Sequence, residues 1–179
     1  MRKCTGIMLG VIALLASPLY AQEGAAPSTA NAIRQAYDQV KGNITKAADK
    51  MPEDSYSFKP TPEQMSFGEW LLHVAQAQTA MCSRAAGSPK MADVKGKTSK
   101  ADIQAVLKDS FDTCDAAYAM LTDTNLNESV ASFRGNTTRV ASLAGNVAHD
   151  NECYGNMVVY MRLKGHVPPS TARSQTPSK

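Results

Sequence analysis

Residues 137–164, TTRVASLAGNVAHDNECYGNMVVYMRLK, carry the pattern that decides the fold. Apolar side chains recur there at three- and four-residue spacing, which is the period of an α-helix with one buried face. The members of this apolar line are Val140, Leu143, Val147, Tyr154, Met157 and Met161. Gly165, Pro168 and Pro169 follow and are typical of a helix end. The stretch therefore predicts a long amphipathic helix that packs against other elements.

Three earlier stretches show the same periodicity. Ser66 and Glu69 form a capping box at the start of one of them. The four predicted helices cover residues 29–51, 66–86, 99–121 and 137–164. The connecting segments are rich in proline or polar residues, and we expect only a short extended piece, near Val130–Phe133. Four amphipathic helices without a convincing set of strands predict an all-α four-helix bundle.

The N-terminus, residues 1–21, is typical of a signal peptide. Arg2 and Lys3 precede a short apolar run, residues 7–16. Because this run is shorter than a membrane-spanning helix requires, we expect cleavage and export to the periplasm or outside the cell, with no membrane anchor left. An uncleaved anchor is the alternative. The expected organisation is a signal peptide at residues 1–21, a flexible leader at 22–28, the bundle at 29–169 and a disordered tail at 170–179.

The charge balance bears on the expected partners. The chain has 19 Lys and Arg against 16 Asp and Glu, a formal net charge of +3. Loss of Arg2 and Lys3 with the signal peptide leaves it nearly neutral, and no basic stripe with interleaved aromatics is present, so we expect no nucleic-acid partner. A small-molecule substrate or ligand is the expected partner, and a homodimer stays open. The sequence also lacks the G-x-S-x-G elbow of serine hydrolases and the paired E-x-x-H spacing of di-iron bundles.

Three cysteines remain after the signal peptide: Cys82, Cys114 and Cys153. An oxidising compartment permits one disulfide among them. Cys82 and Cys114 lie at nearly equal distances from the starts of their helices, so parallel helices place the two sulfurs at the same height. Antiparallel helices would offset them by about 15 Å, more than a disulfide tolerates. A parallel pair needs a crossover through residues 87–98, which can reach about 40 Å. Two unpaired core cysteines are the alternative.

His149 and Cys153 are the residues most able to carry chemistry. They are four positions apart, so their side chains share one face of the predicted helix and could bind one metal ion. His73 lies one turn into the second predicted helix. Imidazole suits zinc, nickel, copper and iron, and a thiolate favours the softer metals. A hydrogen-bonded histidine beside a buried thiol is the alternative, and spacing alone favours it.

Two segments, PTPEQMSFGEWLLH at residues 60–73 and HDNECYGNMVVYMRLKGHVPP at residues 149–169, resemble the motifs of DinB-like proteins. The likeness covers residues 29–170. It implies an up-down-down-up four-helix bundle with a crossover between helices two and three. It also implies a metal site built from one histidine on the second helix and an H-x-x-x-H pair on the fourth. His73 and His149 match two of these ligands, and Cys153 stands where the third histidine is expected.

The resemblance also implies a function. DinB-like proteins include metal-dependent hydrolases and transferases that act with small thiols. We therefore expect a divalent metal, zinc or nickel before others, and a hydrolase or thiol-transferase reaction on a small molecule. Glu152 neighbours the metal-site residues, and no catalytic base is identified. The second hypothesis is a non-catalytic exported module that binds a small ligand, with a degenerate site that holds no metal. Replacement of the third histidine by Cys153 favours it.

Overall fold

The computed structural model of the protein describes residues 27–174. The predicted signal peptide, most of the leader and residues 175–179 lie outside the described residues. The elements are α1 (Thr29–Lys50), α2 (Phe67–Ala85), α3 (Lys100–Ala119), β1 (Ser129–Ser132), β2 (Gly135–Thr138), α4 (Arg139–Leu163) and α5 (Pro169–Ser174). The prediction of a mostly helical chain is confirmed, with a small antiparallel sheet added to it. Within residues 27–174, no helix is both long and apolar enough to cross a membrane.

A hydroxyl side chain caps the start of each long helix. Ser28, Ser66, Ser99 and Thr138 each accept a hydrogen bond from a backbone amide in the first turn. At α2 the bond is reciprocal, because the Glu69 carboxylate accepts from the Ser66 amide at 2.6 Å. Caps of this kind satisfy amides that have no partner inside the helix. They explain why the observed helix starts lie within about two residues of the predicted ones.

Helices α2 and α3 run parallel. A disulfide joins Cys82 to Cys114, with the two Cα atoms 5.0 Å apart. One turn earlier on α2, the Gln78 amide donates a hydrogen bond to the Ser110 hydroxyl. Near the start of α2, Gly68 packs closely on α3, since a Cβ atom at this position would lie 3.0 Å from Cδ1 of Ile103. The residue numbers on the two helices rise together along the contact, so the segment between them has to cross from the end of α2 back to its beginning.

Helix α4 runs antiparallel to α2 along one continuous line of contacts, the α2–α4 seam. Its paired residues are Trp70 with Tyr160, His73 with His149, Met81 with Ser142 and Ala85 with Arg139. Helix α1 lies on the other side of the core, antiparallel to α3. Tyr37 of α1 stacks on Tyr118 of α3, with ring centroids 3.9 Å apart. The core therefore fills the space between the four long helices, and α2 contacts both α3 and α4.

Two short elements differ from the sequence-based expectation. Strands β1 and β2 form a hairpin whose turn is Phe133–Arg134, and only the first strand was expected. Four-residue strands are too short for a clear alternating pattern, and β2 is polar. Helix α5 lies where a disordered tail is predicted from residue 170. Pro169 begins this helix, because proline is tolerated in a first turn, and Ser170 is held by the Tyr154 hydroxyl.

We predict that removal of the α2–α3 disulfide lowers the free energy of unfolding by about 2–4 kcal/mol. The bond spans a sequence separation of 32 residues and restricts the unfolded chain. The double variant Cys82→Ala/Cys114→Ala should show this loss in urea denaturation. Cys153→Ser should keep the bond, and peptide mapping without reduction should then recover a Cys82–Cys114 pair. A linkage that contains Cys153 in the wild-type protein would contradict the prediction.

Candidate metal centre

The three residues predicted to bind metal converge on the α2–α4 seam. His73 projects from α2, and His149 and Cys153 project from successive turns of α4. The two imidazole Nε2 atoms are 3.0 Å apart, and the Cys153 Sγ atom lies 3.7 Å from Nε2 of His149. One donor atom from each side chain falls within 4.8 Å of the other two. The antiparallel packing of α2 on α4 thus brings His73 to His149 and Cys153, which the spacing of residues on α4 could not predict.

The distances fit a single small cation. Zinc bonds of about 2.0–2.1 Å to nitrogen and 2.3 Å to sulfur, in tetrahedral geometry, separate two nitrogens by about 3.3 Å and nitrogen from sulfur by about 3.6 Å. The observed separations of 3.0 and 3.7 Å differ from these values by a few tenths of an ångström. Rotation of the imidazole rings can absorb such differences without moving the helices. The donor set of two imidazoles and one thiolate also suits zinc and nickel.

The site is closed on one side and open on the other. Cys153 is only 2% exposed and faces the core. The His149 side chain is 25% exposed, and His73 is half-buried. A cation held between them would therefore keep a solvent-facing position for a small molecule, as sites with three protein ligands do.

Aromatic residues hold the His73 side of the site. The Trp70 ring meets the His73 ring edge to face, with centroids 5.8 Å apart. The Trp70 indole N–H donates to the Tyr160 hydroxyl at 3.0 Å, and that hydroxyl donates to the Met65 carbonyl at 2.6 Å. This chain of contacts ties the start of α2 to the end of α4. It restricts the His73 imidazole to the seam.

Asp150 is a site residue that the sequence reasoning missed. Its carboxylate is fully buried, with Oδ1 3.5 Å from Nδ1 of His149 and Oδ2 accepting from the Asn146 amide at 3.1 Å. A carboxylate beside the second nitrogen of a ligand histidine selects the tautomer in which Nε2 is free to bind metal. A signal was present in the sequence, because Asp150 fills the gap between Val147 and Tyr154 in the apolar line of α4. A charged residue on a buried line is rare without a partner.

Glu152, unlike the buried Asp150, lies on the solvent-exposed side of α4. It is exposed to solvent on α4, and no contact joins its carboxylate to the three donor side chains among the described residues. Its charge still acts on His73 through space, in the direction that raises the pKa of that imidazole. Glu152 is therefore an electrostatic neighbour of the site and not a ligand.

The pKa shifts describe how the cluster holds protons without a metal ion. Side-chain contacts with Asp150 and with Cys153 raise the pKa of His149 to about 10. Burial and then the positive charge of His149 lower the pKa of His73. Burial raises the pKa of Asp150, while His149 and Asn146 oppose that shift. At neutral pH the His149 imidazolium can therefore donate from Nε2 to the neutral ring of His73 across the 3.0 Å between the two atoms.

Comparison with known proteins agrees with this architecture. The family model of the DinB superfamily matches residues 36–156. A crystal structure of a DinB-like protein from Bacillus cereus ATCC 10987 superimposes with a TM-score of 0.67 at 20% identity, covering 79% of this chain and 96% of that one. A DinB-like protein from Bacillus subtilis gives a TM-score of 0.62 at 23% identity, covering 76% and 94%. At these identities the two structures show a shared fold. No curated protein matches the chain.

We predict that the Asp150 carboxylate raises the pKa of His149 in the metal-free protein. The His149 imidazole should titrate near pH 10 in the wild type and closer to about 6.5, its ordinary value, in Asp150→Asn. Because the pKa is raised on folding, the associated stability is complete below about pH 6.5 and is lost as the pH rises toward 10. Histidine ring NMR signals, followed against pH with chelator present, measure the shift. Asp38→Asn, on the exposed face of α1, is the control. An unchanged His149 pKa in Asp150→Asn would contradict the prediction.

Proposed function

The chain belongs to the DinB superfamily, and from this premise we propose that it binds a divalent metal, zinc or nickel, through His73, His149 and Cys153. The convergence of one donor atom from each of these side chains is the observation that carries the proposal. The likeness of both helix motifs to those of DinB-like proteins supports it. In this proposal Cys153 acts as a thiolate ligand in the position of the third histidine.

The proposal extends to the arrangement of the helices. We propose that α1 to α4 form the up-down-down-up bundle that the family resemblance implies. The parallel course of α2 and α3 and the antiparallel courses of α2 with α4 and of α1 with α3 support it. In such a bundle the site lies between two antiparallel helices, so each ligand is held by a rigid element.

The side chains have separate roles in the proposed site. His73 and His149 each present a neutral Nε2, and Cys153 presents a thiolate that the core shields from water. Asp150 accepts the Nδ1 proton of His149 and keeps that ring in the metal-binding tautomer. The chemistry that a divalent cation supplies in such a site is Lewis acidity, which lowers the pKa of a bound water or keeps a small thiol ionised. We propose a hydrolase or thiol-transferase reaction on a small molecule that enters from the solvent side of the histidines.

Export is part of the proposed function. The basic start and short apolar run of residues 1–21 are the basis for a signal peptide. The Cys82–Cys114 disulfide supports it, because disulfides persist in oxidising compartments such as the periplasm or the extracellular space. An oxidising compartment would also make the buried position of Cys153 useful, since burial protects a thiol from oxidation.

One observation favours a second function, a non-catalytic module that binds a small ligand. The protonated His149 ring satisfies His73 at 3.0 Å and also contacts Asp150 and Cys153. Nε2 of His73, Nε2 of His149 and Sγ of Cys153 therefore each have a contact within the cluster without a cation. A site that is stable in this closed form could have lost metal binding together with the third histidine.

We predict near-stoichiometric zinc or nickel in protein purified without an affinity tag, measured by elemental analysis. His73→Ala and His149→Ala should each lower the metal content and the Tm, because an ion that binds only the folded state stabilises it. His166→Ala is the matched control, since His166 lies beyond the end of α4 and outside the cluster. Metal content that stays the same in both ligand variants would refute the site. A metal-free wild-type protein that does not take up metal on reconstitution would support the binding module.

We predict that metal protects the Cys153 thiol from alkylation. A coordinated cysteine is held as a thiolate bonded to the ion, so iodoacetamide should react slowly until a chelator removes the metal. The rate, followed by mass spectrometry, should then rise. The variant Cys153→His separates the two functions. Tighter metal binding than in the wild type would indicate a relaxed natural site, whereas equal or weaker binding would favour a site built around the thiolate. A chelator-independent rate would contradict a ligand role for Cys153.

A further inference from the structure

A concave site lies beside the α2–α4 seam, beyond the candidate metal centre. It is a groove of about 580 Å³ between the β1–β2 hairpin and the two helices. Helix α2 contributes Arg84, the hairpin turn contributes Phe133 and Arg134, and α4 contributes Gly145. Gly145 precedes His149 by four residues, about 6 Å along the helix, so the groove begins roughly one turn from the cluster. We refer to it as the hairpin groove.

The hairpin groove is positively charged. Arg84 and Arg134 line it, and no carboxylate does. Among residues 27–174, neither guanidinium forms an ion pair. Glu128, the acidic residue just before the hairpin, is instead paired with Arg139 at 2.6 Å. Two guanidiniums without counter-charges in a concave site attract an anion, and their planar forks match a carboxylate.

Arg84 is held in place for such an interaction. Its Nη1 atom donates to the Ala80 carbonyl at 2.8 Å, one turn earlier on α2. Its guanidinium also lies over the Phe133 ring, with Cζ 4.1 Å from the centroid. Phe133 is 64% exposed, so most of its surface stays accessible to a ligand while the cation–π contact is made. A guanidinium that is already ordered loses less side-chain entropy when it binds an anion.

Apart from the two arginines, the lining of the hairpin groove is mostly apolar, with the hydroxyl side chains of Ser132, Thr137 and Ser142 as its other polar groups. Met81 and Ala141 form part of its lining, and Gly145 adds no side chain to it. A Cβ atom placed on Gly145 meets no atom within 4 Å, so open space lies over this position. The flat or narrow apolar part of a ligand could therefore lie against α4 while the charged end of the same ligand reaches Arg84. The groove combines an apolar body site with a cationic end, which is the arrangement that small organic anions require.

We propose that the hairpin groove binds a small organic carboxylate with an apolar or aromatic body, anchored by Arg84 and supported by Arg134. The site is separate from the metal cluster and needs no bound ion. Because the two sites share one seam, a ligand anchored by its carboxylate at Arg84 would extend along α4 toward His149. The hairpin turn acts as one wall of this site and supplies half of its charge.

Direct binding of 4-phenylbutyrate tests the proposal. Calorimetric titration should be done on the full mature protein, once loaded with zinc and once treated with chelator. The expected result is similar affinity in both states and clearly weaker binding of 4-phenylbutan-1-ol, which has the same body without the charge. Affinity should also fall as the salt concentration rises, since the guanidiniums are at the surface.

Variants locate the binding to the hairpin groove. Arg84→Gln should weaken 4-phenylbutyrate binding about tenfold, and Arg134→Gln less, because Arg134 is more exposed and is held by fewer contacts. Gly145→Leu should abolish binding by filling the groove while leaving the fold intact, because leucine favours a helix and open space surrounds the position. Lys46→Gln, on the exposed face of α1, should bind like the wild type.

The outcomes distinguish this proposal from the proposed metal function. Binding that appears only with zinc and disappears in His73→Ala would mean that the carboxylate of 4-phenylbutyrate binds the ion. That result would overturn the proposed binding in the hairpin groove. Unchanged affinity in both Arg84→Gln and Gly145→Leu, or no binding in either state of the wild type, would overturn it as well. Binding of 4-phenylbutyrate by a protein that takes up no metal would support the groove and refute the metal function.

Discussion

The position of α2 between α3 and α4 is the constraint on which the rest of the structure depends. On one side, the Cys82–Cys114 bond and the Gln78–Ser110 contact set the height of α2 against α3. On the other side, the same helix presents His73 to His149. A shift of α2 by one turn would move its side chains by about 5.4 Å and separate the two imidazoles. The disulfide therefore acts at a distance on the geometry of the candidate metal centre.

Burial of Asp150 gives the site two competing states. Taking a carboxylate out of water is costly unless a positive charge or hydrogen bonds compensate for it. In the metal-free cluster the compensation comes from the imidazolium of His149 and the amide of Asn146. With a cation bound to Nε2, the His149 ring would be neutral, and the positive charge that compensates the Asp150 carboxylate would be that of the ion. In the proposed metal site, proton and metal would thus compete for His149, and the buried carboxylate would stabilise whichever of them is present.

The two candidate binding sites of the protein lie next to each other along the α2–α4 seam. The candidate metal centre lies in its middle, and the hairpin groove follows toward the start of α4. Strands β1 and β2 make up the whole sheet among the described residues. The turn between them places Phe133 against Arg84, which comes from a distant part of the sequence. A thiol at position 153, where the family resemblance implies a histidine, gives the cluster a softer donor atom, and the contacts of the seam on either side of it are present. Ligand binding in the proposed hairpin groove would therefore not depend on which metal, if any, the cluster holds.

The sequence by itself determined the features that arise from local interactions. The caps at Ser66 and Ser99 and the 3.6-residue period of apolar residues located the helices. The four-residue spacing placed His149 and Cys153 on one helix face. Capping and side-chain spacing both act within one or two turns, so a single segment of sequence records them. Only the tertiary structure decided that Asp150 is buried behind His149, that Phe133 and Arg134 form a turn over Arg84, and that residue 170 belongs to a helix. These features depend on which surfaces meet when elements far apart in sequence pack together. Side-chain shape and burial in the assembled core govern such contacts, and no periodicity within a single segment records them.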